Sequence, residues 1–278
     1  QITKFARAEL VDLDAIGENY KSSITIVPLL KEFKKVFDDD SGEFVHWGAT
    51  SQDIMDNGMV LQIREAMALL KKLLEKTYDE TLKTSEKYKN TVMAGRTHVI
   101  HALPITFGFK TAMWAQEIRR SLDRLKEIAP RVLVGQLSGA VGTLASQEGK
   151  GLETQKLMMD DLGLNIPVIS WHPSRDHMAE YVSTLAIIAG TIGRIARETL
   201  SLQRTEICEV EEPFFMGKVG SSTMPHKRNP QVCEGVIALT KIVRAQAPLM
   251  VEAMECENER DWGCEAVEWD AIPKSSIH

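Results

Sequence analysis

A bundle of long α-helices is the fold that this 278-residue sequence predicts. Three observations carry that expectation. Apolar residues recur at spacings of three and four through four long stretches, the period of an amphipathic helix. Glycine and proline make 28 of 278 residues, about 10% against an average near 12%, which disfavours an all-β chain built on many tight turns. Ala, Leu, Glu, Lys and Met, the residues of long helices, are abundant.

Residues 1–53 read as the remainder of an N-terminal helical domain, with Asp38-Asp39-Asp40 as a solvated turn. Residues 54–278 read as a central helical-bundle domain. Its first helix runs from Ile54 to about Tyr88, with Met55, Met59, Ile63, Met67, Leu70, Leu74 and Tyr78 along one face. Phe107 to about Ile128 repeats the pattern, with Glu117, Arg119 and Arg120 at polar positions. Met178 to about Glu209 holds Leu185, Ile188, Ile192 and Ile195, and Gln231 to about Cys256 makes a fourth helix. A helix of about thirty residues spans about 45 Å, well beyond the mean length of roughly 11–12 residues. Such helices bury their apolar faces against each other, so a bundle follows, with no strand longer than a hairpin arm. The chain starts without Met and ends at Ser275-Ser276-Ile277-His278, so it reads as a piece of a longer protein that lacks its C-terminal domain.

Composition narrows the function. Thirty-three basic against 39 acidic residues give a net charge of −6, so no basic field is available for a nucleic acid backbone. No run of eighteen apolar residues occurs, which speaks against a membrane-spanning helix. Cys208, Cys233, Cys256 and Cys264 form no CxxC pair and have no histidine in ligand spacing, so no zinc site is expected. Four scattered cysteines and an N-terminus without an apolar core segment suggest a reducing, cytoplasmic setting. No internal repeat at a solenoid period is visible.

The connections are rich in Gly, Ser, Thr and His: Gly48 to Asp53, Gly95 to His101, Gly135 to Thr143, and Gly217 to Asn229. Loops on a rigid helical scaffold are where binding chemistry usually sits. Gly220-Ser221-Ser222-Thr223-Met224-Pro225-His226-Lys227-Arg228-Asn229-Pro230 carries the most information. Gly217 and Gly220 permit a mobile backbone and Pro225 and Pro230 fix local geometry. Two hydroxyls, a lysine and an asparagine supply a nucleophile or base together with donors for an anion. Taken alone, the same residues also suit a surface loop that opens a helix, with Ser or Asn as its cap.

This stretch closely resembles the signature loop of the fumarase/aspartase superfamily, G-S-S-x-M-P-x-K-x-N-P, at every fixed position. Gly48 to Asp53 looks like the first of the family's regions and Gly95 to Pro104 like the second, over a resemblance that runs from about Leu13 to Pro273. The resemblance implies an all-α subunit, a homotetramer whose active sites draw on three subunits, a small-molecule carboxylate substrate and no cofactor or metal. Family members remove a proton from the carbon next to a carboxylate and expel a group from the neighbouring carbon. The resulting aci-carboxylate needs preorganised positive groups. Ser221 matches the family's catalytic base, and Lys227 and Asn229 match the groups that stabilise the aci-carboxylate. A serine hydroxyl is a weak base, so Lys227 and loop N–H groups must favour its ionisation once the loop closes, with Gly217 and Gly220 as hinge.

His98 matches the histidine that helps to protonate the leaving group, a task suited to its ordinary pKa near 6.5. A loop histidine that caps backbone groups is the alternative for it. His101 reads as structural, and His172 and His177 stay unassigned. Thr50, Ser51 and Thr97 look like hydroxyl donors for substrate carboxylates. Arg175 pairs either with a substrate carboxylate or with Asp176 or a nearby helix.

Two branches of the superfamily compete. Adenylosuccinate lyases carry a histidine followed by aspartate upstream of the first region, where this chain has Ser23-Ile24-Thr25-Ile26-Val27-Pro28-Leu29. They also place serines and an arginine after an E-R-D triplet to grip a phosphate. Here Glu259-Arg260-Asp261 is followed by Trp262, Glu265, Glu268 and Trp269, the wrong lining for a phosphate. The 3-carboxy-cis,cis-muconate cycloisomerases fit those places better, although several carry Trp where this chain has His98. The expectation is therefore a β-elimination lyase for a succinyl-type compound, cycloisomerase-like, with adenylosuccinate lyase as the alternative. A crystallin-like structural role is the remaining class, and the presence of Ser221, His98, Lys227 and Asn229 weighs against it.

Overall fold

In the computed structural model, residue 2, residues 6–19 and residues 26–278 are described, and among these eight α-helices and one antiparallel hairpin are the main elements. In chain order they are α1 (Leu13–Asn19), α2 (Ile26–Lys34), α3 (Ser51–Lys87), β1 (Val92–Thr97), β2 (Ile100–Thr106) and α4 (Phe107–Val132). α5 (Gly151–Leu162), α6 (Asp176–Leu202), α7 (Gln231–Glu252) and α8 (Trp262–Ile277) follow. The all-helical expectation holds. Among the described residues no helix is long and apolar enough to cross a membrane. Ser23, Ile24 and Thr25, the first part of the stretch weighed against the adenylosuccinate lyases, lie outside the described residues.

The differences from the periodicity are informative. α3 starts at Ser51, ahead of its first apolar position, because the helix opens where Thr50 ends the preceding loop. α6 stops at Leu202 rather than near Glu209. Beyond Leu202 the apolar spacing lapses through Gln203-Arg204-Thr205-Glu206, and the Glu209 N–H closes onto the Leu202 carbonyl at 3.0 Å. α8 had no clean apolar stripe to announce it, since Glu265, Glu268 and Ser275 are among its buried residues. Gly95 to His101 is a hairpin rather than a loop, with an irregular register between Ala94 and Arg96. Gly95 sits in that irregularity, and a Cβ there would lie 2.5 Å from the Leu103 carbonyl oxygen. The Asp38-Asp39-Asp40 run is an exposed turn in which Asp39 accepts the Ser41 N–H at 2.9 Å.

The chain divides into two compact units. The first comprises Gln1–Arg64, Leu133–Arg175 and Cys256–Asp261; the second comprises Glu65–Val132, Asp176–Glu255 and Trp262–His278. In the first unit Val60, Ile63, Leu137, Met159 and Trp171 are buried, and the Trp171 indole N–H donates to the Gly135 carbonyl at 2.8 Å. In the second, α6 and α7 share the most extensive packing. Ala196, Cys233 and Ile237 form a buried cluster there, with Leu200 and Val236 packed on it. Gly193 permits the close approach, because a Cβ would meet the Thr240 hydroxyl at 2.7 Å.

Candidate active site

The Ser221 loop is clamped where it begins and where it ends. Pro230, the residue before α7, offers no side-chain cap to that helix. The buried Glu212 carboxylate does so instead, accepting the Cys233 N–H at 2.8 Å and the Val232 N–H at 3.3 Å, with the Lys218 ammonium at 3.4 Å. Burial pushes the Glu212 carboxyl up, but those N–H groups and Lys218 outweigh it and leave the group below its ordinary value. Gln203 accepts the Glu212 N–H at 3.0 Å and donates to the Arg228 carbonyl at 3.2 Å, tying both arms to the end of α6.

Inside the clamp Lys227 is exposed while Ser221 and Asn229 are half-buried. Gly217 has φ +93° with open space around it, a left-handed turn that suits glycine. Gly220 is buried, and a Cβ on it would lie 2.3 Å from the Lys227 carbonyl oxygen. Gly220 is therefore where the loop folds back on itself, and only Gly217 has the freedom expected of a hinge. The Ser221 hydroxyl oxygen accepts the Met224 N–H at 3.1 Å and the Thr223 N–H at 3.3 Å. Arg228 is occupied, paired with Glu211 at 2.9 Å and stacked over Phe214 at 4.7 Å, whereas among the described residues Lys227 makes no ion pair.

Thr97 and His98 sit at the hairpin tip, both exposed. His98 and Val99 form the turn with φ of 49° and 66°. That conformation is uncommon for a non-glycine residue and least comfortable for a β-branched one. Arg96 anchors the hairpin by a two-pronged pair with Glu209 at 2.8 and 2.9 Å, which holds the Glu209 carboxyl below its usual range. Among the described residues no hydrogen bond joins the hairpin tip to the Ser221 loop.

Thr50, Ser51 and Arg175 belong to the first unit. Thr50 and Ser51 open α3 and are half-buried. The Thr50 N–H donates to Asp53 at 2.8 Å, and its hydroxyl accepts from the exposed Arg260 guanidinium. Arg175 does make a two-pronged carboxylate contact, but with Asp56 of α3, at 2.9 and 3.2 Å, with the guanidinium 2% exposed and lying 4.9 Å from the Trp171 ring. Of the two expectations for Arg175, the pairing with a nearby helix is the one realised. Its guanidinium is paired inside the fold with Asp56. Burial pushes the Asp56 carboxyl up, and Arg175 only partly offsets this. His172 is also buried, with Nε2 2.9 Å from Asp53.

Sequence reading missed Arg260, Glu212, Gln203 and Asp53 as members or supports of these constellations. Asp53 and Arg260 lie within stretches the sequence singles out, but their pairing with Ser138, Gly139, His172 and Thr50 joins segments far apart along the chain. Glu212 and Gln203 sit on segments of unremarkable composition, so spacing carried no signal of these contacts. A cavity of ≈420 Å³ in the first unit, lined by Ser138, Gly142, Thr143, Leu144, Gln155 and Ser170 among others, contains none of the eight expected site residues.

The lyase family profile matches residues 16–244. The chain belongs to this family, within the fumarase/aspartase superfamily. It is 43% identical over its full length to the N-acetyl-S-(2-succino)cysteine lyase of Enterococcus italicus, covering 61% of that protein. It is 40% identical to the adenylosuccinate lyase of Methanocaldococcus jannaschii over 94% of this chain and 57% of that protein. The crystal structure of the 3-carboxy-cis,cis-muconate lactonizing enzyme of Pseudomonas putida superposes with a TM-score of 0.92 at 36% identity, covering 98% of this chain and 62% of that one. The chain thus spans about three fifths of the length of these relatives.

Proposed function

We propose that the full-length protein is a β-elimination lyase for a succinyl-type di- or tricarboxylate. The observation that carries this is the Ser221 oxygen receiving two backbone N–H groups inside a clamped loop. Donors aimed at that oxygen stabilise it as an alkoxide, which is what a serine needs to serve as a base. In this reading Ser221 takes the proton from the carbon next to one carboxylate. The electron pair moves into that carboxylate, and Lys227 and Asn229 stabilise the aci-carboxylate. Collapse forms the carbon–carbon double bond and expels the substituent on the neighbouring carbon, to which His98 delivers a proton directly or through water. Thr50, Ser51 and Thr97 hold the carboxylates. No metal or other cofactor is needed for this sequence of steps, and cytoplasmic location fits the free cysteines.

A homotetramer with shared sites is part of the proposal. Leu69, Leu73 and Leu82 of α3, Phe109 and Met113 of α4 and Ile187 of α6 are exposed apolar residues on long helices, a pattern that association relieves. The succinyl-cysteine lyase relative, whose name describes a thioether, supports a succinyl substrate and brings sulfur into the range of leaving groups. Glu265 and Glu268, buried in α8, place carboxyl side chains where the adenylosuccinate lyase alternative calls for phosphate donors.

The test is an ultraviolet assay for fumarate or another conjugated product with the full-length protein on an S-succinyl thiol, several succinyl amines including adenylosuccinate, and the carboxymuconolactone, whose ring opening is read as the conjugated carboxymuconate. Fumarate release from the thioether or the simple amines is the expected result. Turnover of adenylosuccinate alone selects the alternative, and of the lactone alone the cycloisomerase. No turnover of any compound overturns the reading.

A further inference from the structure

Asp53 is fully buried in the first turn of α3, yet it gathers four partners from three separate stretches of the chain. One oxygen accepts the Thr50 N–H at 2.8 Å and the Gly139 N–H at 3.0 Å. The other accepts the Ser138 N–H at 2.9 Å and faces His172 Nε2 at 2.9 Å. On its far side the His172 ring meets the Ser170 hydroxyl at 3.4 Å, so the imidazole is gripped at both nitrogens.

This goes beyond what the helix requires. A residue at the third helical position commonly accepts the N–H of the cap residue, and the cap side chain returns the favour. Here Asp53 keeps its half of that exchange, while the Thr50 hydroxyl is turned to Arg260 instead. The remaining accepting capacity of the carboxylate is spent on the glycine-rich loop and on His172. Gly139 adopts φ +77°, and a Cβ on it would approach the Gly48 carbonyl oxygen to 3.1 Å, so the loop lies directly against the segment that leads into Thr50. The Leu144 N–H returns to the Ser138 carbonyl at 3.0 Å and closes the loop. A carboxylate accepting several N–H groups in a buried site makes strong, short-range bonds with little geometric freedom.

We infer that Asp53 is a positioning residue that fixes the Thr50 and Ser51 hydroxyls, with the loop 136–139 as their backing, in the arrangement that receives a substrate carboxylate. The inference rests on the proposed function for what Thr50 and Ser51 bind, but the placement itself does not. Asp56, three residues on and equally buried, serves as the comparator, because its partner Arg175 comes from the same 171–175 segment while its carboxylate touches neither Thr50 nor the loop.

The experiment compares Asp53→Asn, Asp56→Asn and His172→Gln in the full-length protein. An amide at position 53 sets an N–H₂ group against N–H donors. Asp53→Asn is expected to raise KM for the succinyl substrate by about 10- to 100-fold with kcat within a few-fold, the signature of lost uniform binding. Succinate, read by calorimetry, should weaken in parallel, and amide hydrogen exchange at Thr50, Ser138 and Gly139 should accelerate. Asp56→Asn should lower the melting temperature and leave KM and those three amides unchanged. His172→Gln retains the three N–H bonds to Asp53, so it should raise KM severalfold and keeps the inference testable if Asp53→Asn fails to fold. Unchanged KM and succinate affinity in both variants, or a KM rise shared equally by Asp56→Asn, overturns the positioning role. If the parent protein neither turns over nor binds these compounds, the functional reading fails, while unchanged exchange at the three amides in Asp53→Asn separately overturns the placement.

Discussion

Two regions of this molecule treat their polar groups in opposite ways. At the start of α3, Asp53, Asp56, His172 and Arg175 are all buried and satisfied by one another and by backbone N–H groups. In the Ser221 loop the ends are bound just as firmly through Glu212 and Gln203, but Lys227 is exposed and Ser221 and Asn229 are half-buried. The first region uses charge to set a backbone in place, and the second uses a set backbone to offer charge. Under the proposed function the cation that meets the ligand, Lys227, is left without an ion pair among the described residues, whereas the groups that hold geometry are paired and dry.

The largest expected effect tests the offering side. If Ser221 is the base as proposed, Ser221→Ala should lower kcat by roughly 10²- to 10⁴-fold with KM nearly unchanged, since the proposed carboxylate contacts survive. Lys227→Ala should depress kcat and raise KM together, because in the proposed mechanism Lys227 faces the carboxylate before as well as during the reaction. Near-normal turnover by the Ser221→Ala enzyme would move the base elsewhere, with His98 the first group to examine.

The holding side predicts a loss of stability rather than of rate. Arg175→Met leaves the Asp56 carboxylate buried without its cation, and breaking such a pair typically costs about 3–5 kcal/mol. Burial already pushes the Asp56 carboxyl above its ordinary value, and removing Arg175 raises it further. A carboxyl whose folded value is raised contributes fully at acid pH and loses that contribution as pH climbs through the folded value. Denaturant unfolding of the variant should therefore show a smaller deficit in mild acid than at neutral pH. A deficit that is equal at both would mean that Asp56 is not the origin of the penalty.

A smaller effect separates surface from interior within the second unit. Burial and the neighbouring Glu212 push the Cys233 thiol up to about 12, whereas Cys208 is exposed. A thiol reagent at mildly alkaline pH should modify Cys208 rapidly and Cys233 only on unfolding. Because the folded value is raised, the Cys233 contribution is intact below the ordinary thiol range and fades as pH rises from there towards about 12. Rapid labelling of Cys233 in the folded protein would show that the α6–α7 contact opens readily.

Part of the candidate site was legible because local sequence determines it. Gly220 to Pro230 holds Ser221, Lys227 and Asn229 in eleven consecutive residues, and no tertiary arrangement is needed to bring them into one loop. That Thr97 and His98 sit at the tip of a hairpin was not legible, since the short β1 and β2 arms lack the alternation that marks a strand. Arg175 was legible as a carboxylate partner and not as a buried one, because burial is a property of what packs around a residue.

What the sequence determined by itself, then, is the helical class and the composition of its loops. A period of three to four apolar residues and a scarcity of turn formers act within one element and leave little choice of backbone. Only the tertiary structure decided which charges are consumed and which are offered. Asp53 and Gly139 are separated by 86 positions and Asp56 and Arg175 by 119, and both contacts follow from the fold of the first unit. Long-range pairing depends on the desolvation that the folded chain imposes on each group, and a one-dimensional pattern carries no measure of that.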